Sequence, residues 1–242
     1  MAEQRIALIT GANKGIGYET ARQLGEAGVT VLVGARSSSR GEEAAAALAE
    51  AGADARSVVL DVTDSDAIAK AAAWVGDTFG RLDILVNNAG IGLADEGPPG
   101  SVPLDVVRAT FETNVIGALA VTQAMLALLK TSDAGRIVNV SSMIGSLGLQ
   151  TDPSFAYGDH VATGYGASKA ALNYLTVGLS KELAGTPVKV NSVNPGFTAT
   201  DFNNHAGVRS VREGAAASVR YALIGADGPS GGFFGDEGVV PW

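Results

Sequence analysis

Short apolar runs recur along the chain, separated by longer stretches in which apolar positions return with helical spacing. The runs cover 6–9, 29–33, 57–60, 82–86, 136–140 and 188–193, with a last short one at 232–234. Their length and β-branched content read as strands, and strands apolar throughout belong to a parallel sheet covered on both faces. Helical stretches follow at 18–24, 42–51, 65–79, 104–130, 165–183 and 208–223, the fourth with an expected break near 111–113. Residues 92–103 are polar and rich in Pro and Gly and read as a loop, and 201–207 reads as a mobile segment. Strands alternating with helices, without repeat, linker or composition shift, predict one α/β domain over 1–242 with a doubly wound parallel sheet of seven strands.

Composition narrows the chemistry. Charged residues are only 17% against the ~25% usual for soluble domains, which suits a sheet buried on both faces. The net charge is −8, which argues against a general nucleic-acid or anionic-membrane surface. There is no cysteine, so disulfides, thiol nucleophiles and Cys-ligated metals are excluded, and a reducing, cytoplasmic location is expected. His160 and His205 stand far apart without ligand spacing, so no metal site is expected. No signal-peptide pattern precedes the first strand, and no apolar run approaches the ~20 residues of a membrane span.

The first strand runs into Thr10-Gly11-Ala12-Asn13-Lys14-Gly15-Ile16-Gly17 and then a helix. Strand, glycine turn and helix aim free N–H groups and a helix N-terminus at a phosphate. A tight strand-to-helix bend also needs glycine, so the turn alone is weak evidence. Its spacing is Gly-x-x-x-Gly-x-Gly, without the Gly-Lys-Ser/Thr ending of a nucleoside triphosphate loop. The second strand ends in Arg36, where an acid would bind a ribose 2′-hydroxyl and an arginine accommodates a 2′-phosphate. Lys14 can approach the same phosphate, so the pair favours NADP(H) over NAD(H); alternatively both are solvated surface cations. Asp61, before Val62, can accept from an adenine amino group or serve as a turn residue. In Asn87-Asn88-Ala89-Gly90 small residues let backbone lie against a flat ligand, and the amides can tie strand ends together. The turn Asn194-Pro195-Gly196-Phe197-Thr198 sets small and hydroxyl residues at a strand end, suitable for a carboxamide.

Tyr165 and Lys169 are four apart and share a helix face. A phenol of pKa ~10 is a poor acid or base at neutral pH. An adjacent ammonium favours the phenolate and makes proton exchange with an alcohol or carbonyl oxygen feasible. Such a pair also occurs by chance in many helices; Tyr157, followed at the same spacing by Val161, lacks the partner. Ser141 and Ser142 stand at the carboxyl end of the fifth strand, where open parallel sheets bind ligands. Asn114 lies inside a helix with poor propensity, for which surface placement is the simple explanation.

Taken in order, the glycine turn, Asn87-Asn88-Ala89-Gly90, Asn114, Ser142, Tyr165 with Lys169, and Pro195-Gly196 resemble the short-chain dehydrogenase/reductase family over essentially the whole chain. The glycine turn, Ala35-Arg36 and Arg40-Gly41 look most like its NADPH-dependent carbonyl reductases. The resemblance implies a Rossmann fold in which Tyr165 protonates a carbonyl oxygen as hydride arrives. Lys169 would lower the phenol pKa and hold the nicotinamide ribose, Ser142 rather than Ser141 would position the substrate oxygen, and Asn114 would hold a water. It implies that the glycine turn from Gly11 through Asn13, Lys14, Gly15, Ile16 and Gly17 binds the dinucleotide. Asp61 and Val62 would line the adenine, Asn88, Gly90, Pro195 and Gly196 the cofactor, and Thr198 its carboxamide. Helices near 111–130 and 165–184 would pair across a two-fold axis in a homodimer or homotetramer. The segment 146–164 is longer than in the shortest members, and Phe155, Tyr157 and His160 are expected to border the substrate pocket. The expected activity is NADP(H)-dependent interconversion of a small or medium-sized ketone or aldehyde and its alcohol. A dinucleotide sensor without turnover and a nucleotide-sugar epimerase or dehydratase are the competing readings.

Overall fold

The computed structural model describes residues 4–242. Strand β1 (Ile6–Thr10) lies mid-sheet between β2 (Thr30–Ala35) and β4 (Ile84–Asn87), and β3 (Ala55–Val59) forms one edge. On the other side follow β5 (Arg136–Val140), β6 (Lys189–Val193), β7 (Phe233–Gly235) and β8 (Gly238–Val239), in the order 3-2-1-4-5-6-7-8. All pairings are parallel except β7 with β8. The sheet therefore has eight strands, one more than its apolar runs predict. The extra strand is two residues long, too short to leave a periodic signal.

Alternate residues of each central strand feed different cores. Ala7, Ile9, Ile84 and Val86 pack with Ala21 and Leu24 of α1 (Gly15–Glu26), Leu48 of α2 (Ser38–Glu50) and Ala217 and Tyr221 of α8 (Val211–Ala222). Leu8, Leu85 and Ile137 face the other way, onto Ile68 and Val75 of α3 (Ser65–Phe79) and Val121, Met125 and Leu129 of α5 (Ala118–Lys130). Leu179 of α7 (Thr163–Glu182) joins the same side. This two-sided burial explains why the strands read as unbroken apolar runs. Helix α8 begins later than expected because Ser210 and Glu213 form a capping box, a four-residue signal already present in the chain.

The expected break near 111–113 is absent. Instead α4 (Leu104–Phe111) passes through a π-helical segment, Glu112–Gly117, into α5. The whole stretch Leu104–Lys130 is long and apolar enough to cross a membrane by length and composition, which corrects the expectation that no run reaches that length. Here its apolar side covers the sheet through Val121, Met125 and Leu129. The segment 201–207, expected to be mobile, contains the 3-10 turn Asp201–Asn203, closed by a capping box with Thr200. Asn203 donates to the Thr198 carbonyl at 2.8 Å, and the Ala199 N–H donates to the Arg209 carbonyl, closing the base of the segment.

Because β1 is followed to one side and β4 to the other, the carboxyl ends of these two strands open a crevice where the winding reverses. Its rigidity rests on the core beneath. Leu85→Ala, at a fully buried β4 position, is expected to lower unfolding free energy by about 2–5 kcal/mol, measured by urea denaturation.

Candidate active site

One wall of the crevice is the glycine turn. Gly11 and Gly15 hold positive φ of 65° and 59°, a conformation an L side chain resists. Thr10 Oγ1 accepts from the N–H groups of Asn88 and Ala89 at 3.0 and 2.9 Å. Asn88 Nδ2 donates back to the Thr10 and Gly11 carbonyls at 2.8 and 3.3 Å, so this amide ties the two strand ends together beneath the turn. Gly17 permits the approach, since a Cβ there would stand 2.4 Å from Asn88 Nδ2. Lys14, at the N-cap of α1, makes no side-chain cap, and Asn13, Gly15 and Ile16 line the turn half-buried. The first N–H groups of α1 are thus available to an anion.

Arg36 is exposed just past β2 on the same sheet edge, close enough to help hold the Asp61 carboxyl below the usual range. The larger cause of that lowering is local: Asp61 Oδ1 accepts from the Thr63 N–H and hydroxyl, as the turn reading expects. Val62 is buried in the core, with its carbonyl against Gly117 of the π-helical segment. Lys14 does not reach toward Arg36. Its Nζ pairs with Asp201 at 2.7 Å across the crevice, both groups being well exposed, so the pair contributes ~0–1 kcal/mol.

The opposite wall joins the end of β5 to α7. Ser141 is buried and donates to the Lys169 carbonyl at 3.3 Å, whereas the Ser142 hydroxyl caps the short turn Met143–Gly145 and lies close enough to the Tyr165 phenol to draw its pKa down. Gly145 makes this meeting possible: a Cβ there would lie 2.6 Å from Lys169 Cβ and 2.7 Å from the Ala170 nitrogen. Lys169 is 4% exposed; its Nζ donates to the Val140 carbonyl at 2.8 Å and lies 5.6 Å from the centroid of the Tyr165 ring. Ser142, Tyr165 and Lys169 therefore converge on one cleft.

Burial governs their protonation. It pushes the Tyr165 phenol up to about 12, with the Ser142 hydrogen bond pulling the other way, and it pushes the Lys169 amine down to about 8. Burial is the larger influence on the phenol, and the Lys169 nitrogen is engaged with the Val140 carbonyl over the ring face. At neutral pH the phenol keeps its proton.

Asn114 is buried rather than on the surface. Its Oδ1 accepts from the Ile91 N–H at 2.8 Å, and its Nδ2 donates to the Ile91 carbonyl at 2.9 Å and to Ser168 Oγ at 3.0 Å. The side chain thus holds protein partners on both sides, with Gly90 packed between it and Lys169.

Beyond β6, Gly196 has φ 72°. Thr198 is buried, its hydroxyl donating to the Pro195 carbonyl at 3.1 Å, so this hydroxyl serves the turn rather than facing the crevice. Phe202 was not anticipated as a site residue: its ring sits 5.5 Å from that of Tyr165 and fills the space beside Gly92. An aromatic among the polar residues 200–205 was its one signal. In the long segment 146–164, Ser146 and Gly148 are anchored to the Pro241 and Trp242 carbonyls. Phe155, Tyr157 and Phe197 form a row of rings at 5.7 and 6.3 Å, while His160 is exposed and held through its backbone.

A nicotinamide dinucleotide suits these residues. The positive-φ glycine turn and uncapped helix start suit a pyrophosphate, and Gly90 leaves open a space that a Cβ would fill 3.4 Å from Lys169 Nζ.

Comparison with known proteins agrees. The family model for short chain dehydrogenase matches residues 5–209. The (+)-neomenthol dehydrogenase of Arabidopsis thaliana is 36% identical over 295 residues, covering 99% of both chains. Among solved structures, NADPH-bound carbonyl reductase from chicken fatty liver superposes with TM-score 0.85 at 28% identity, covering 99% of this chain and all of that one. A gluconate 5-dehydrogenase from Burkholderia cenocepacia in complex with NADP and tartrate gives 0.83 at 28% identity, covering 96% and 92%. This chain belongs to the short-chain dehydrogenase family, oxidoreductases that use a nicotinamide cofactor on carbonyl or alcohol substrates.

Proposed function

We propose that this protein is an NADP(H)-dependent carbonyl reductase or alcohol dehydrogenase, with Tyr165 as the acid in reduction and the base in oxidation. The observation that carries the reading is the convergence of Ser142, Tyr165 and Lys169 at the crevice beside the glycine turn. The bound cofactor supplies or accepts the hydride. The Ser142 hydroxyl orients the substrate oxygen toward the phenol. The phenol, protonated at neutral pH and raised further by burial, donates to that oxygen as negative charge develops there. Lys169 then faces a phenolate, which favours its charged form, and with Ser142 stabilises the anion. The close packing of Phe202 on Tyr165 supports a role in excluding water from the reacting atoms.

NADP(H) is favoured over NAD(H) because Arg36, not an acid, follows β2. The two solved relatives described with NADPH or NADP point the same way. Ile116 and Tyr174, exposed apolar residues in the π-helical segment and on α7, support association through these helices as a homodimer or homotetramer. A cytoplasmic setting, inferred from the absence of cysteine, completes the proposal.

Tyr165→Phe is expected to lower NADPH consumption on a carbonyl panel by ~10²–10⁴-fold while NADPH still binds, as followed by its fluorescence. Full turnover in this variant would remove the phenol from the reaction. Arg36→Ala should narrow the kcat/KM preference for NADPH over NADH by about 1.5–3 kcal/mol; an unchanged ratio would assign the preference elsewhere.

Lys169 also makes folding stability depend on pH. Its folded pKa, about 8, lies below the ordinary 10.5, so between these values the unfolded chain binds a proton that the folded chain does not. Stability should therefore rise as pH increases through that window. Tyr165, raised from 10.0 to about 12, acts oppositely above pH 10. Denaturation at pH 7.5 and 10 should show the native chain gaining about 2 kcal/mol relative to Lys169→Met, and equal slopes would contradict the buried amine.

A further inference from the structure

Helix α7 carries Tyr165 in its first turn, yet nothing local caps it. Its N-cap residue, Ala162, has no side chain able to accept a hydrogen bond, and no acidic residue stands in the first turn. The preceding residues 156–161 are exposed. Such a helix start leaves several N–H groups without partners. In this protein they find partners about seventy positions upstream, in the loop between β4 and α4. Glu96 accepts from the Gly164 N–H through Oε2 and from the Tyr165 N–H through Oε1, both at 2.8 Å. The adjoining Gly97 carbonyl accepts from the Thr163 hydroxyl at 2.6 Å and its N–H at 3.3 Å.

We propose that Glu96 is a positioning residue for the active-site phenol, a cap supplied from a distant loop of the same chain that sets where Tyr165 stands relative to Ser142 and Lys169. This rests on the assignment of Tyr165 as the acid. The clamp acts on the backbone of Tyr165 from both sides. Glu96 holds its N–H, and Ser168 Oγ donates to its carbonyl at 2.7 Å. Ser168 in turn accepts from Asn114, whose amide holds both backbone groups of Ile91. Ile91 leads directly into the loop that carries Glu96, so the hydrogen bonds close a circuit through β4's exit, the π-helical segment and the start of α7. Opposite charge on two N–H groups at a helix N-terminus makes these charge-assisted bonds, aligned with the helix dipole. The same loop touches the ring of Phe202 at Gly92, so a shift of Glu96 would disturb both the phenol and the ring packed on it. Glu96 does not touch the crevice chemistry itself; it acts through Tyr165.

The test uses the full-length protein with Glu96→Ala, Glu96→Gln, and Glu96→Ala combined with Ala162→Asp, which rebuilds the cap at its local position. Steady-state turnover of NADPH with a carbonyl substrate is measured alongside hydrogen exchange of the amides of 163–166. Glu96→Ala is expected to lower kcat about tenfold or more while KM for NADPH stays within about threefold, and to speed exchange at 164 and 165. Glu96→Gln, keeping one acceptor, should fall between it and the parent chain, and carries the comparison if the alanine variant does not fold. Ala162→Asp should recover most of the lost kcat and the slow exchange. A kcat within about twofold of the parent, unchanged exchange at 164 and 165, or restored exchange without restored kcat would each overturn the proposal. Failure of the parent chain to consume NADPH with any carbonyl would instead count against Tyr165 as the acid. Exchange at 164 and 165 would still decide separately whether Glu96 clamps the helix.

Discussion

A lysine amine removed from water sits at the end of the fifth strand, bonded to one backbone carbonyl and covered by a tyrosine ring. Burying an ammonium is costly unless it is paired or loses its proton. Here the environment moves the two groups in opposite directions, the amine down to about 8 and the phenol up to about 12. The usual closeness of their pKa values disappears, and the proton stays on the phenol at neutral pH. In the proposed reaction the protonated phenol is the form that can donate to a developing alkoxide. The Ser142 hydroxyl lies beside the phenol and the amine over its ring face.

The rest of the molecule keeps this arrangement in register. Beneath it, the polar side chains of three neighbouring strands form a buried row. Asn87 donates to Asn139 and Thr122, Asn139 donates to Thr176, and Thr176 meets Ser192 at 2.8 Å. This row ties α5 and α7 to β4, β5 and β6, and buried polar groups of this kind specify one packing because any slip leaves a partner unmet. Above it, Gly145 lets the Met143–Gly145 turn touch the backbone of α7. Thr10 and Asn88 fasten the glycine turn to the strand beside it. Both walls of the crevice are therefore fixed by backbone hydrogen bonds and close approach, while Phe202 covers the cleft from a segment outside the sheet.

The pattern of apolar runs was enough to find the first seven strands and the principal helices, because the central strands are buried on both faces and even the edge strand β3 keeps a short β-branched run. The two-residue β8 escaped it for want of length. The π-helical segment escaped for another reason: Glu112–Gly117 keeps helical spacing closely enough that an expected break and a widened turn look alike in the chain. At the site, the glycine turn, a serine pair at a strand end and the Tyr165–Lys169 pair were each open to a plain structural reading, and their order along the chain, through its resemblance to a family, singled out Ser142, Tyr165 and Lys169. The partners of Asn114 and Lys14 were not legible. Asn114 turns inward to Ile91 and Ser168, and Lys14 turns across the crevice to Asp201.

Local sequence determined which residues could act: a glycine turn for an anion, a phenol and an amine one helical turn apart, a hydroxyl at a strand end. These follow from backbone geometry and the chemistry of single side chains, both readable over a few positions. Folding in three dimensions settled how they are protonated and what holds them. Desolvation depends on every atom packed around a group, and the cap of α7 comes from Glu96, a residue about seventy positions away. Neither has a signature in the neighbouring sequence, because both arise from contacts between segments that only the folded sheet brings together.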